Sequence, residues 1–453
     1  MRRTAAAVLA FGLALGAAAC NDTPLIPESS DDMPAFAQQA AVSSAGNTYI
    51  LNAGKWNAKQ TRAVEQAGGT VVFSHSADGI GVAMSENPDF LERALASRAF
   101  KGGFPDFEVS GVVPVGVEML EDASFDPYDD GFFGYQWNME AIGAPAAWAA
   151  ECTGEGVRIA ILDGGISSDH VDIAPNLDAA ASASFVPGYE YDEDSSVFRH
   201  ATHVAGIAAA PANGIGTIGV APDATIIGVK VLNGGSGLFS WILQGIYYAA
   251  TPVEDGGAGA DIINMSLSGA FPKSMEGGGQ LVAAYNKALN WAARNGVLVV
   301  SAAGNDFWDL DHNQNWIVIP AESGNGIAVS ATAPNGWIVG GTDYTSMATY
   351  TNFGNSAIHV AGPGGDFDPA AYAPFDGVLS PGEGPNWYYF AAGTSMAAPA
   401  VAGVAALVMA NNPGINVNRV KTILSQTADD EGKKGHDPYY GHGFVNAYRA
   451  CMK

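Results

Sequence analysis

From residue 136 onward the chain alternates between two apolar patterns. Short runs at 157–162, 224–232, 262–267, 297–302 and 327–331 are apolar at nearly every position, as in parallel strands buried on both faces. Segments 203–210, 239–250, 279–295, 395–410 and 417–426 fit helices instead. The alternation predicts an α/β layer fold around a mostly parallel sheet. Such sheets carry their sites at the carboxyl ends of the strands, so the residues that close the runs are the first candidates for chemistry.

The stretch before it reads differently. Residues 47–53 form a strand. Asn57 caps a helix that ends at Ala67, with Gln60 three residues on as in a capping box, and Gly68-Gly69 stops it. Strands at 70–76 and 80–85 flank Asp78-Gly79, a hairpin signal. Asn87-Pro88 opens a second helix through Phe90, Leu91 and Leu95, and 107–115 is a last strand. The order β-α-β-β-α-β predicts a small ferredoxin-like α+β unit over 47–118. Turn-rich acidic sequence at 119–135, with Asp126-Pro127-Tyr128-Asp129-Asp130-Gly131, marks the boundary to a second domain over 119–453. Residues 21–46, rich in Pro, Ser, Asp, Ala and Gln, read as a flexible tether. Residues 1–20 read as an export signal: Arg2 and Arg3, an apolar run over 5–15, then Ala17-Ala18-Ala19. Cys20 and Asn21-Asp22 are similar to a bacterial lipoprotein cleavage site, which leaves lipid anchoring through Cys20 and simple secretion both open.

Composition narrows the function. With 48% hydrophobic and 15% charged residues the chain holds a large core. A net charge of −26 argues against nucleic acid as a partner and leaves carboxylates for hard cations. Of the three cysteines, Cys152 and Cys451 remain as an even pair if Cys20 is lipidated or removed. In an oxidising compartment they form a disulfide or stay as two thiols.

Candidate chemistry sits where the pattern points. In Gly393-Thr394-Ser395-Met396-Ala397-Ala398-Pro399 a glycine turn delivers Ser395 to the N-terminus of an apolar helix. Free N–H groups and a positive dipole end favour an oxyanion there. A lone serine is more often a helix cap, and a nucleophilic one needs a base and an orienting acid. Asp163 closes the run at 157–162, and His200 stands where a loop enters a helix, in His200-Ala201-Thr202-His203. A His-x-x-His pair without an intervening Glu or a third ligand is poor for zinc. Asn305 ends the run through 299–302 and can donate to an oxyanion. Gly214-Ile215-Gly216-Thr217-Ile218-Gly219 spells a nucleotide-loop motif, but after a helix and before a strand. Ala397 breaks any G-x-S-x-G elbow around Ser395.

Taken together and in this order, Asp163-Gly164-Gly165, His200–His203, 301–305 and Gly393–Pro399 resemble the subtilisin-like serine peptidases, the subtilases. The resemblance spans nearly all of 136–449. It implies Ser395 as nucleophile, His200 as base, Asp163 as orienting acid and Asn305 in the oxyanion hole. It implies that Ser236, Gly237 and Leu238 form an edge strand pairing with an extended peptide or protein substrate. Phe239 would line an apolar subsite. Ser266, Leu267, Ser268, Ala302, Ala303 and Gly304 would wall the pocket for the residue before the scissile bond. Asp172 and Asn213 fall at positions of structural calcium ligands, and the chain would be a monomer. The 47–115 unit would be an intramolecular propeptide inhibitor, removed near 115–130. Two residues depart from the pattern: Gly164 replaces Thr or Ser, and Ala201 replaces Gly. They support the competing reading, a weak or inactive surface binding protein on the same scaffold.

Overall fold

The computed structural model of the chain describes residues 44–110, 114–119, 131–275, 277–313, 315–368 and 372–453. The expected export signal, Cys20 and the tether up to residue 43 lie outside the described residues. Residues 44–46 of the expected tether instead begin a strand.

The N-terminal unit consists of strands β1 (Ser44–Asn52), β2 (Thr70–His75), β3 (Ile80–Met84) and β4 (Gly102–Ser110), antiparallel in the order β2-β3-β1-β4. The helix Ala58–Ala67 starts with the expected capping box. The Asn57 side chain accepts from the Lys59 N–H, and the Gln60 side chain accepts from the Asn57 N–H. Gly68, at φ 92°, ends it. Neighbouring strand residues split between two faces. Leu51 and Ala83 pack under this helix and the helix Phe90–Ala96. Ile50 and Val82 face the second domain. The last strand begins five residues before the expected 107, because Gly102-Gly103 serves close approach rather than a turn. A β-carbon on Gly103 would press on Leu51, and one on Gly102 would collide with Gln280.

In the second domain, β6 (Arg158–Asp163), β7 (Ala183–Ser184), β8 (Thr225–Lys230), β10 (Ile262–Met265), β12 (Leu298–Ala302), β14 (Ile327–Ala333), β15 (Ser346–Met347) and β16 (Ile358–Pro363) form the central sheet. Its order is β15-β14-β12-β10-β6-β8-β7, with β16 also on β14, and every pairing but β14–β15 is parallel. Alternate side chains go to opposite faces. Ile159 and Ile161 pack with the helices His200–Ala209 and Thr394–Asn411. Ala160 and Leu162 pack with Phe239–Ala250 and Gly278–Arg294. Two helical layers therefore sandwich the sheet, the expected three-layer subtilisin-like α/β domain. β9 (Ser236–Leu238) and the β11 (Gly269–Pro272)–β13 (Trp316–Ile319) pair lie outside it. So does a small antiparallel sheet in which β5 (Gly116–Met119) and β17 (Val378–Pro381) flank β18 (Tyr388–Ala392).

Cys152 and Cys451 are bonded, their Cα atoms 6.4 Å apart and 299 residues apart in sequence. The link joins the start of the domain to its last helix. Removing it in C152A/C451A is expected to cost about 2–5 kcal/mol, most of it through the unfolded state. A urea-unfolding midpoint equal to that of the parent would contradict this.

Candidate active site

Ser395 occupies the first turn of Thr394–Asn411, a helix buried from Thr394 to Met409 because it fills the middle of one layer. Gly393 delivers it in extended conformation. A β-carbon there would stand 3.0 Å from the Asn305 amide nitrogen, tight enough that the amide would have to shift. Pro399, four residues after Ser395, has no N–H to give the Ser395 carbonyl. The Ser266 hydroxyl supplies the missing bond at 2.8 Å and is held in turn by the Asn264 amide at 3.0 Å.

Asp163 ends β6, fully buried, and both carboxylate oxygens lie 2.9 Å from His200 Nδ1. The Gly164 N–H donates to Oδ1 at 2.6 Å, and the Asp163 carbonyl accepts from Val231 and Leu232. These bonds fix the acid against the sheet. Arg199, at φ 53°, turns the chain so that His200 opens its helix. His200 Nε2 is buried with no hydrogen-bond partner among the described residues. One turn on, His203 donates to the Tyr389 carbonyl at 2.9 Å and ties β18 to this helix. Burial pushes its pKa down to about 3, so it stays neutral. Ala201 lies inside the helix and its φ is not positive, so the backbone there does not call for glycine. At Gly164, by contrast, a β-carbon would collide with the Asp194 carboxylate.

Asn305 Oδ1 accepts from the Thr394 N–H at 2.9 Å and its hydroxyl at 2.8 Å, which orients the amide with its NH2 group on the opposite side. The Gly304 N–H donates to the same hydroxyl at 3.1 Å. Ser266, Leu267, Ser268, Ala302, Ala303 and Gly304 are all buried beside these residues. The edge Ser236–Leu238 is paired, and its partner is the chain's own β4: Glu108 opposite Leu238, Val109 opposite Gly237, Ser110 opposite Ser236. Phe239 stacks on Phe107, ring centres 5.1 Å apart, and Phe107 meets the Phe271 ring edge-on at 4.8 Å. Asp106, also buried, accepts from the Ser240 N–H at the start of Phe239–Ala250, and burial raises its pKa to about 6. The sequence reading missed these β4 contacts. Its only signal was the apolar spacing of Phe107 and Val109.

Asp172 and Asn213 come together, but as a set of protein hydrogen bonds. Asp172 Oδ2 accepts from the Thr217 N–H (2.7 Å) and hydroxyl (3.2 Å) and from the Tyr388 hydroxyl (2.9 Å). Asn213 turns its NH2 group toward Oδ1 at 3.3 Å, while its own carbonyl accepts from Ile215. Four donors satisfy the one carboxylate, and the Asn213 oxygen is engaged elsewhere. In this arrangement the residues do not fit calcium, which wants oxygen acceptors directed at it.

Comparison with known proteins places the chain in a family. The profile of the Subtilase family matches residues 154–443. Subtilisin Savinase of Lederbergia lenta is 36% identical over 315 residues, covering 69% of this chain and 97% of the relative. Alkaline elastase YaB of Bacillus sp. (strain YaB) is 38% identical over 316 residues, 69% of each chain. Among solved structures, an epidermin leader peptide processing serine protease from Staphylococcus aureus superposes with a TM-score of 0.72 at 21% identity, over 89% of this chain and 97% of that one. Fervidolysin from Fervidobacterium pennivorans gives 0.68 at 22% identity, over 90% and 61%. The likeness to both structures extends the common fold over the N-terminal unit as well. The chain belongs to the subtilase family and is a subtilisin-like serine endopeptidase.

Proposed function

We propose that Ser395, His200 and Asp163 cut peptide bonds through an acyl-enzyme, with His200 taking the serine proton at Nε2 and returning it to the leaving amine. The observation that carries this reading is the imidazole anchored at one end: Nδ1 is held by both Asp163 oxygens and Nε2 is buried without a partner among the described residues, while the Ser395 hydroxyl points to the Ser266 carbonyl at 3.5 Å. Asp163 fixes the tautomer and stabilises the imidazolium. The Asn305 NH2 group and the Ser395 N–H hold the developing oxyanion. Neither Gly164 nor Ala201 removes a catalytic atom, so the inactive-scaffold reading loses its support. The small walls at 266–268 and 302–304 leave room for a large apolar residue before the scissile bond. Asn305→Leu is expected to lower kcat about 10²–10³-fold, the size found at the equivalent donor of subtilisin itself, with KM little changed. A kcat within twofold of the parent would remove Asn305 from this role.

The N-terminal unit acts as a built-in inhibitor. β4 takes the edge an extended substrate needs, and the chain then returns through Val115, whose N–H bonds to Ala392 at 2.7 Å, into β5 beside β18. The cut expected near 115–130 falls largely on 120–130, outside the described residues, and the pairing of 116–119 with β18 disfavours cleavage within β5 itself. Export rests on residues 1–20 alone. Mass spectrometry of the mature protein separates a lipidated Cys20 from simple secretion and reads the processed N-terminus directly.

A further inference from the structure

Gly164 lacks the hydroxyl expected beside the triad acid, and the carboxylate of Asp194 stands in its place. Asp192-Glu193-Asp194 reads in sequence as a solvated acidic loop, yet the Asp194 side chain is only 5% exposed. Its Oδ2 accepts from the Gly165 N–H at 2.6 Å and from Lys230 Nζ at 3.2 Å. Oδ1 accepts from the Ser196 N–H at 2.8 Å and the Gly234 N–H at 3.1 Å. Gly165 follows the acid, Ser196 leads to the base, and Gly234 leads into the substrate edge. One carboxylate thus fastens the three loops that meet at the cleft.

Lys230 completes the arrangement. It is the ladder partner of Asp163 across β6 and β8, and its side chain is fully buried. Its other bonds go to the Leu232 carbonyl at 2.7 Å and Asn233 Oδ1 at 3.3 Å, and Asn233 Oδ1 also accepts from the Ser195 N–H. The Tyr189 ring lies 5.3 Å from Nζ. Burial lowers the pKa of the ammonium, Asp194 and Asp163 attract it against that effect, and Arg199 repels it. For Asp194, burial alone would raise its pKa, but the backbone donors and Lys230 outweigh it and the group is held ionised.

We propose that Asp194 and Lys230 are positioning residues for the peptidase reaction, a buried ion pair that replaces the missing hydroxyl and holds Asp163, His200 and the substrate edge in register. The pair also balances charge behind the His200–Asp163 couple. This inference rests on the triad reading above, and its test separates the two.

The experiment is the pH dependence of kcat/KM on a peptide substrate for the parent, D194N, K230M and D194N/K230M. D194N leaves the lysine charge unopposed, disfavours the imidazolium and is expected to move the acid limb down by about half a pH unit. K230M leaves the carboxylate unopposed and moves the limb up by a similar amount. Limbs that stay put, or move the same way in both, would overturn the charge balance. A lone buried charge can unfold a protein, so the neutral double variant carries the decisive rate. Folded by circular dichroism, it should keep the parental limb and lose about tenfold or more in kcat/KM. Parental kcat/KM in the folded double variant would reduce the pair to a structural contact. S395A serves as the reference. Activity retained there refutes the triad, whereas S395A inactive beside a fully active D194N/K230M refutes the ion pair alone.

Discussion

Ser395→Ala is expected to abolish hydrolysis, lowering kcat by about 10⁴-fold or more, a size taken from the subtilisin and chymotrypsin cases themselves. The substitution deletes one oxygen from the first turn of a helix that is buried on all sides, so the fold should be unchanged. The bonds that place the serine survive as well. Ser266 still caps the 395 carbonyl, and Asn305 still holds Thr394. What disappears is the hydroxyl proposed to attack, with its 3.5 Å bond to the Ser266 carbonyl. The N-terminal unit should then remain joined, so the purified variant runs on a gel at the length of the unprocessed chain. Normal processing of S395A in a strain lacking other peptidases would assign the nucleophile elsewhere.

Phe107→Ala should weaken inhibition by the N-terminal unit about 10²–10³-fold. Phe107 is fully buried between Phe239 and Phe271, which belong to the second domain. Truncating such a phenylalanine costs about 3–5 kcal/mol, and about 1.4 kcal/mol is a factor of ten in affinity. The N-terminal unit keeps its own core, formed by Leu51, Trp56, Val64 and Phe90 on the opposite face. The loss should therefore fall on docking rather than on folding of the unit. The measurement is the inhibition constant of the added unit, parent or variant, against the mature peptidase. Equal constants would mean that Phe107 packs against Phe239 without contributing to inhibition.

The candidate site was legible because its residues lie in short local motifs. Asp163, His200, Asn305 and Ser395 each sit in a short stretch whose glycines and neighbours are dictated by close approach, as Gly393 beside Asn305 shows. The layers were legible too, since buried strands and long helices write themselves as apolar runs; the helix expected at 239–250 is Phe239–Ala250. β5, β17 and β18 were not seen, because strands of four or five residues are too short to show a period, although β17 and β18 are buried at every position. Asp194 was misread for a related reason. Its burial comes from Gly165, Lys230 and Gly234 folding over it, and nothing within Asp192-Glu193-Asp194 distinguishes the buried carboxylate from the others. Asp172 and Asn213 were paired through the family resemblance, which carries no information on which amide atom faces the carboxylate.

Covalent labelling probes the proton relay most directly. A fluorophosphonate added to the mature enzyme should form a single adduct, mapped by peptide mass spectrometry to Ser395, and the labelling rate should collapse in His200→Ala. An adduct on another residue, or labelling of Ser395 at an undiminished rate without the imidazole, would contradict the relay.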